Sequence, residues 1–325
     1  MFQRIYTLAL NSFVETIRQP LYGVILIATA ALLVLNVSLA AFTLENDNKL
    51  LLDLGLCTLL LSGLFLSAFS ASGVISREIE NKTVLTVISK PVSRPLFILG
   101  KFLGLIAAMA VAFYLSTLVF ILSVRHGVMQ NSSDPWDGPV LVFGIGSVLA
   151  AVIGGAVSNF FYGKHFGSTV VKLLVPTLTL GVVLVGFFDK HFDVIPFASD
   201  FVGGQVLLAA FLVSLAVMVT SAVAVAASTR LGQVMTLVTC TGVLGLGIIS
   251  DYALGQHAES STLAAFAYGV VPNLGPFWVV DGLVAEKLET TVTPQYVSYV
   301  LLYGTLLTTG ILGIAVAMFQ RREVG

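Results

Sequence analysis

The chain has 325 residues, 57% of them hydrophobic and only 10% charged, with a mean hydropathy of +0.99, where a soluble domain carries about 25% charge. That excludes an ordinary soluble enzyme and makes lipid the solvent for most of the sequence. The net charge of -1 gives no electrostatic basis for binding nucleic acid.

Residues 2–19, plotted at 100° per residue, gather Arg4, Thr7, Asn11, Glu15 and Arg18 on one stripe, with Phe2, Ile5, Tyr6, Ala9, Phe13 and Ile17 opposite. This pattern predicts an amphipathic helix over residues 1–20 that lies in the membrane interface, as an anchor rather than a specific docking element, and ends at Pro20. The first 20 residues lack the cationic start, short apolar core and small-residue cleavage site of a signal peptide, so the first span is expected to anchor the mature chain.

Largely uncharged apolar runs predict eight spans, at 21–44, 54–75, 98–124, 139–162, 168–188, 202–229, 231–252 and 296–319. The fifth carries Lys172 in its first turn and is interrupted by Pro176, so a re-entrant hairpin is the alternative there. With a cytoplasmic N-terminus, twelve of the 16 Lys and Arg residues fall inside, leaving Lys49, Arg125, Lys190 and Lys287 outside. This is the positive-inside distribution, and an even span number returns the C-terminus to the cytoplasm. Trp136 and Trp278 fall in the outer segments, where an indole can keep its N–H among headgroups.

Between spans two and three lies a short charged loop, 76–97, expected to be helical in part and limited by Pro91 and Pro95. Glu80 interrupts its apolar arc of Ile79, Val84, Val87 and Ile88, which suits a helix touching a protein surface as well as headgroups. Composition alone leaves open that the loop is only a solvated topological signal.

Several chemistries have no residues to carry them. No GxxxxGK[ST] run exists to cradle phosphates, since Lys101 is followed by Phe102 and Lys164 by His165. His126, His165, His191 and His257 form no HExxH pattern. Cys57 and Cys240 sit apart in apolar stretches, with no CxxC or Cys/His cluster, so no metal site and no catalytic residue is assigned. Asp53, Lys101, Lys172, Arg230 and Asp251 lie near span ends and read as boundary residues, leaving the span centres without the charge an ion-coupled carrier commonly uses. Gly100 with Gly104, Gly154 with Gly155, and Gly242, Gly245 and Gly247 allow close helix contact, within one subunit in preference to a dimer seam. The segment 253–295 is too short for a typical domain and is expected to form a short outer helix or re-entrant turn.

The run SREIENKTVLTVISKPVSRPLFILGKFLG, from Ser76 to Gly104, resembles the loop and following helix of ABC-2-type exporter permeases, especially the branch serving nitrous-oxide-reductase maturation and gliding machinery. ASTRLGQVMTLV (227–238), VPNLGPFWVVD (271–281) and the final FQRREVG add to the similarity. The resemblance implies an all-α polytopic helix bundle over 21–325, in which six spans are family-like and 139–188 is an additional hairpin. It implies a coupling helix in the first cytoplasmic loop that docks on a separate soluble ABC ATPase, with Arg77, Glu78, Glu80, Lys82 and Thr83 at the contact. ATP and magnesium would then be cofactors of that partner, and the chain itself would be a non-catalytic permease that pairs with a second permease subunit. The bacterial character of the family implies the cytoplasmic (inner) membrane, and the outer segment would cap the exit of the pathway. The alternatives are an ATPase-independent secondary transporter and a membrane scaffold regulated by an ABC ATPase. Neither residues nor resemblance specify a substrate.

Overall fold

Hydrocarbon offers no water to backbone N–H and C=O groups, so apolar runs of this length must satisfy their hydrogen bonds internally, as helices. A computed structural model of the chain describes residues 2–41, 47–76, 93–129, 134–201, 203–258, 260–279 and 292–320. Its α-helices in chain order are α1 (Phe2–Arg18), α2 (Pro20–Ala40), α3 (Asp47–Ala71), α4 (Arg94–His126), α5 (Gly138–Tyr162), α6 (Phe166–Val185), α7 (Gly204–Ser228), α8 (Gln233–Ala253), α9 (Thr262–Val270) and α10 (Pro294–Gln320). A π-helical turn, Ser72–Ser76, prolongs α3. Among the described residues the fold is all-α, with one isolated antiparallel bridge between Phe188 and Val194. Eight helices, α2 to α8 and α10, are long and apolar enough to cross a membrane, and the chain is a multi-pass membrane protein.

Helix limits differ from the hydropathy reading where polar turns continue beyond the apolar run. The third span, expected over 98–124, is a 33-residue helix. At 1.5 Å per residue it is about 50 Å long, more than the ~30 Å of hydrocarbon. The second, expected over 54–75, runs from Asp47 to Ser76. Pro20 separates α1 from α2 by starting the second helix: Gln19 is extended (φ -64°, ψ 132°) and the proline occupies the first turn of α2, where its missing N–H has no helical partner to lose. Pro176 does not divide the fifth span, and α6 is continuous through it, so a transmembrane helix stands in place of the re-entrant alternative.

The chain divides into two compact units. One comprises Met1–Thr16, Gly63–Met109 and Phe211–Gly325, the other Ile17–Ser62 and Ala110–Ala210, so α1, α3, α4 and α7 contribute segments to both. In the first, Gly63 receives Val217, Phe97 stacks on Phe319 with centroids 5.5 Å apart, and Gly304 receives Phe277. α1 as far as Thr16 belongs here: Gly100 lies under Leu8, and a Cβ added to Gly104 would collide with the Ala9 carbonyl oxygen. α1 is therefore packed on α4 through Leu8, Ala9, Ser12 and Phe13, while Phe2 and Tyr6 are exposed.

In the second unit, Gly55 receives Phe120, and α5 and α6 form the expected hairpin. Gly155 takes Val170, Gly154 takes Leu173, and Gly181 takes Ser147, whose hydroxyl is shared between the Phe143 and Thr177 carbonyls at 2.6 and 2.9 Å. The connection is three residues long. Gly163 closes α5 at φ 62°, a left-handed conformation that a side chain would strain, and His165 caps α6.

Candidate functional site

Arg77, Glu78, Glu80, Lys82 and Thr83, the residues expected to contact an ATPase, lie outside the described residues, as does all of 77–92. What the structure describes is the frame from which that loop leaves and to which it returns. On the leaving side, the π-helical turn ends at Ser76, whose buried hydroxyl sits 3.0 Å from both the Ser228 and the Leu231 carbonyl oxygens, at the turn between α7 and α8. A π turn widens the helix by one residue and commonly marks a functional position.

On the returning side, Arg94 begins α4 and donates through Nη1 to the carbonyls of Gln320 (2.7 Å) and Phe319 (3.3 Å), with its guanidinium 5.9 Å from the Phe319 ring centroid. Arg230 donates through Nη2 to the Met318 carbonyl at 2.7 Å. These carbonyls lie in the last described turn of α10, and two guanidinium groups donate to them, a placement that suits cations at the C-terminal, negative end of a helix dipole. Segments 76–104, 227–238 and 319–325, singled out separately in the sequence, thus meet through Ser76, Arg94, Ser228, Arg230, Leu231, Phe319 and Gln320.

Two turns further along α4, Lys101 lies 3.4 Å from Glu15 and 5.7 Å from the Phe97 centroid. The Lys101 side chain is 5% exposed and that of Glu15 41%. Glu15 was expected on the polar stripe of a lipid-anchored helix. It turns instead toward α4, because a buried ammonium needs a counter-charge. Lys101 is a boundary residue only in the sense that α4 overhangs the apolar run.

Elsewhere in the same unit, the segment after α8 folds into two 3₁₀ turns and α9, and builds a polar lattice. Asp251, in the last turn of α8, accepts from the Tyr268 hydroxyl at 2.5 Å and from the Asn273 amide nitrogen at 2.7 Å. The Tyr303 hydroxyl of α10 donates to the Asn273 carbonyl at 3.0 Å and accepts its backbone N–H at 3.1 Å, and the Tyr296 hydroxyl donates to the Pro276 carbonyl at 2.7 Å. The bond to Asp251 holds the Tyr268 proton and raises that phenol above its usual range. Between these elements opens a cleft of about 550 Å³, lined by Tyr268, Pro272, Pro276, Tyr296, Tyr299 and Tyr303, among others.

The second unit holds a different polar centre. Arg125, in the last turn of α4, has a side chain 1% exposed, and its Nε lies 3.2 Å from an oxygen of Asp137, which is 0% exposed. Its Nη1 donates to the Val185 carbonyl at 2.6 Å and its Nη2 to that of Phe188, with the Phe201 ring 5.2 Å away. The other Asp137 oxygen accepts the Val140 N–H at 3.0 Å and caps α5. One ion pair therefore joins the end of α4, the start of α5 and the end of α6. Beside it, Asp189 accepts the backbone N–H groups of Asp193 and His191, which hold its carboxyl below the usual range.

Neither ion pair is evident in the sequence. Asp137-Gly138-Pro139 does carry a capping signature, an acid just before a proline in the first helical turn, and Arg125 stands at the end of a predicted span. Compared with known families and with curated proteins, the chain matches no family model and no curated sequence.

Proposed function

We propose that this chain is the membrane-spanning permease subunit of an ATP-driven ABC exporter, with ATP and magnesium bound by a separate soluble ATPase subunit. The observation that carries the reading is the frame around 77–92: the loop departs from Ser76, bonded to the α7–α8 turn, and returns to Arg94, bonded to the end of α10. A loop that receives force from a partner needs such fixed ends, since slack at either root would dissipate the displacement. The resemblance of 76–104 to the coupling segment of ABC-2-type permeases supplies the class.

In this reading Arg77, Glu78, Glu80, Lys82 and Thr83 touch the ATPase, closure of the ATPase pair moves the loop, and two permease subunits change which side their interface opens to. Gly242 and Gly245 on α8, which meet no described side chain within 4 Å, are available for the second subunit. The distribution of Lys and Arg supports cytoplasmic termini, and the bacterial character of the family supports a cytoplasmic membrane.

The test is a pull-down of the tagged full chain from mild detergent, with identification of the soluble partner and measurement of its ATPase rate. The native loop should retain and stimulate an ABC ATPase, whereas Glu78→Lys with Glu80→Lys should abolish stimulation in a protein that still inserts. A monodisperse native chain that captures no ATPase, and moves solute on an ion gradient alone, would replace this reading with the secondary carrier.

A further inference from the structure

The aromatic cleft beside α9 is built in a way that a headgroup-facing belt of tyrosines is not. Interfacial tyrosines commonly turn their hydroxyls to water. Here the hydroxyls of Tyr268, Tyr296 and Tyr303 bond to Asp251, the Pro276 carbonyl and the Asn273 carbonyl. What these residues offer to the cleft is ring carbon in a fixed orientation. Tyr303 is braced from behind by Phe277, centroids 5.9 Å apart, and Phe277 is buried against Gly304. Leu274, whose N–H donates to the Gly247 carbonyl at 2.9 Å, ties the same segment to α8. The fourth ring, Tyr299, is 73% exposed and stands at the mouth.

The electrostatics of the walls have one sign. Aromatic faces carry the negative part of the ring quadrupole, and the Asp251 carboxylate is one hydrogen bond behind two lining residues, Tyr268 and Asn273. Among the described lining residues there is no Lys, Arg or His. Apolar side chains, Val270, Val271, Val300 and Leu307, complete the surface. A volume of about 550 Å³ is that of a small-molecule site and exceeds what a single water or metal ion would fill. An anion would meet ring faces and a carboxylate. A metal cation would lack converging oxygen ligands. A diffuse charge shielded by carbon satisfies both the rings and the apolar wall.

We infer that this cleft is a binding site for a hydrophobic organic cation, a quaternary ammonium or phosphonium group whose apolar substituents lie along Val300 and Leu307. The rings provide cation–π attraction, strongest where water is excluded, and Asp251 biases the field toward positive charge. This requires no nucleotide and no ATPase, so it stands or falls separately from the exporter reading.

The experiment uses the purified full chain in dodecyl maltoside, with tetraphenylphosphonium as the probe and tetraphenylborate, of the same shape and opposite charge, as its control. Saturable binding is measured by titration calorimetry. The native chain should bind the phosphonium saturably and the borate only through the micelle. Tyr299→Leu should weaken phosphonium binding about fivefold or more, the scale of one cation–π contact, while Tyr299→Phe, which keeps the ring, should stay within about twofold. Asp251→Asn, which retains an oxygen for the Tyr268 hydroxyl, should weaken binding in the same direction. Because Tyr299 is at the surface, its variants test the cleft without disturbing the lattice. Equal saturable binding of the borate, Tyr299→Leu indistinguishable from native, or no saturable phosphonium binding by a monodisperse native chain would each overturn the assignment.

Discussion

Helix α4 carries two ion pairs that solve different problems. Near its end, Arg125 and Asp137 are both withdrawn from water, and nearly every donor and acceptor between them is engaged: two carbonyls, one helix cap and the pair itself. Near its start, Lys101 is withdrawn but Glu15 is not. The first pair is a staple, in which neither partner tolerates loss because the survivor would be a stranded charge. The second is a mooring, in which one partner has water as an alternative and the other does not. Burial of both members, rather than the presence of a salt bridge, is what makes an ion pair structurally indispensable.

The sharpest way to break this contrast is at the staple. Arg125→Ala leaves Asp137 buried without its counter-charge and takes the side-chain donor from the Phe188 carbonyl, with an expected loss of about 3–5 kcal/mol. That should appear as a large fall in the thermal midpoint of the purified chain by fluorescence-detected size exclusion. Arg125→Met combined with Asp137→Asn removes both charges while keeping a cap for α5, and should recover more than half of the loss. A double variant as unstable as the single one would show that the charges were not the issue.

At the mooring the largest effect should come from the close approach that precedes it. Gly104→Leu drives a side chain into the Ala9 backbone and Ser12, at a cost of about 1–3 kcal/mol from overpacking, and should release α1 to limited proteolysis without unfolding the spans. Unchanged protection of α1 would mean that the helix is held elsewhere. The smallest effect should be an asymmetry: Glu15→Gln leaves a buried ammonium and should cost about 1–2 kcal/mol, whereas Lys101→Met leaves a half-exposed carboxylate and should cost less. Thermal midpoints in the reverse order would erase the distinction between staple and mooring.

The spans themselves were legible because hydropathy over about 20 residues is a local property, and all eight expected spans have a helix. Their limits were less so, since the helical hydrogen-bond ladder does not stop where the apolar run stops. Arg94 and Ser76 belong to helical elements that hydropathy assigned to the loop. Pro176 looked like a break because intrahelical Pro costs about 3 kcal/mol in isolation, yet packing of Ser147 and Gly181 across the hairpin keeps α6 whole. The polar pairs were illegible for another reason. Glu15 and Lys101 are 86 residues apart, and a helical wheel that places Glu15 on a polar stripe contains nothing about what that stripe will meet. The tyrosine cleft draws on α8, α9 and α10 together; in sequence Asp251 reads only as a boundary residue and Val271, Pro272, Asn273 and Pro276 only as part of a family-like run, with nothing to join them to the tyrosines.

The staple also has a timetable. A chain is made from its N-terminus, so its parts are delivered in order. Arg125 is followed by Asp137 after only 12 residues, whereas the two carbonyls that complete its coordination, at Val185 and Phe188, arrive after 60 and 63. The counter-charge is therefore synthesised well before the two carbonyls, so the arginine's charged partner is its nearest in sequence. The hairpin that follows thus has at its beginning the pair that its far end completes. A charge that alone would be a liability beside hydrocarbon is, with its partners in place, the fixed point at which the two ends of the hairpin meet.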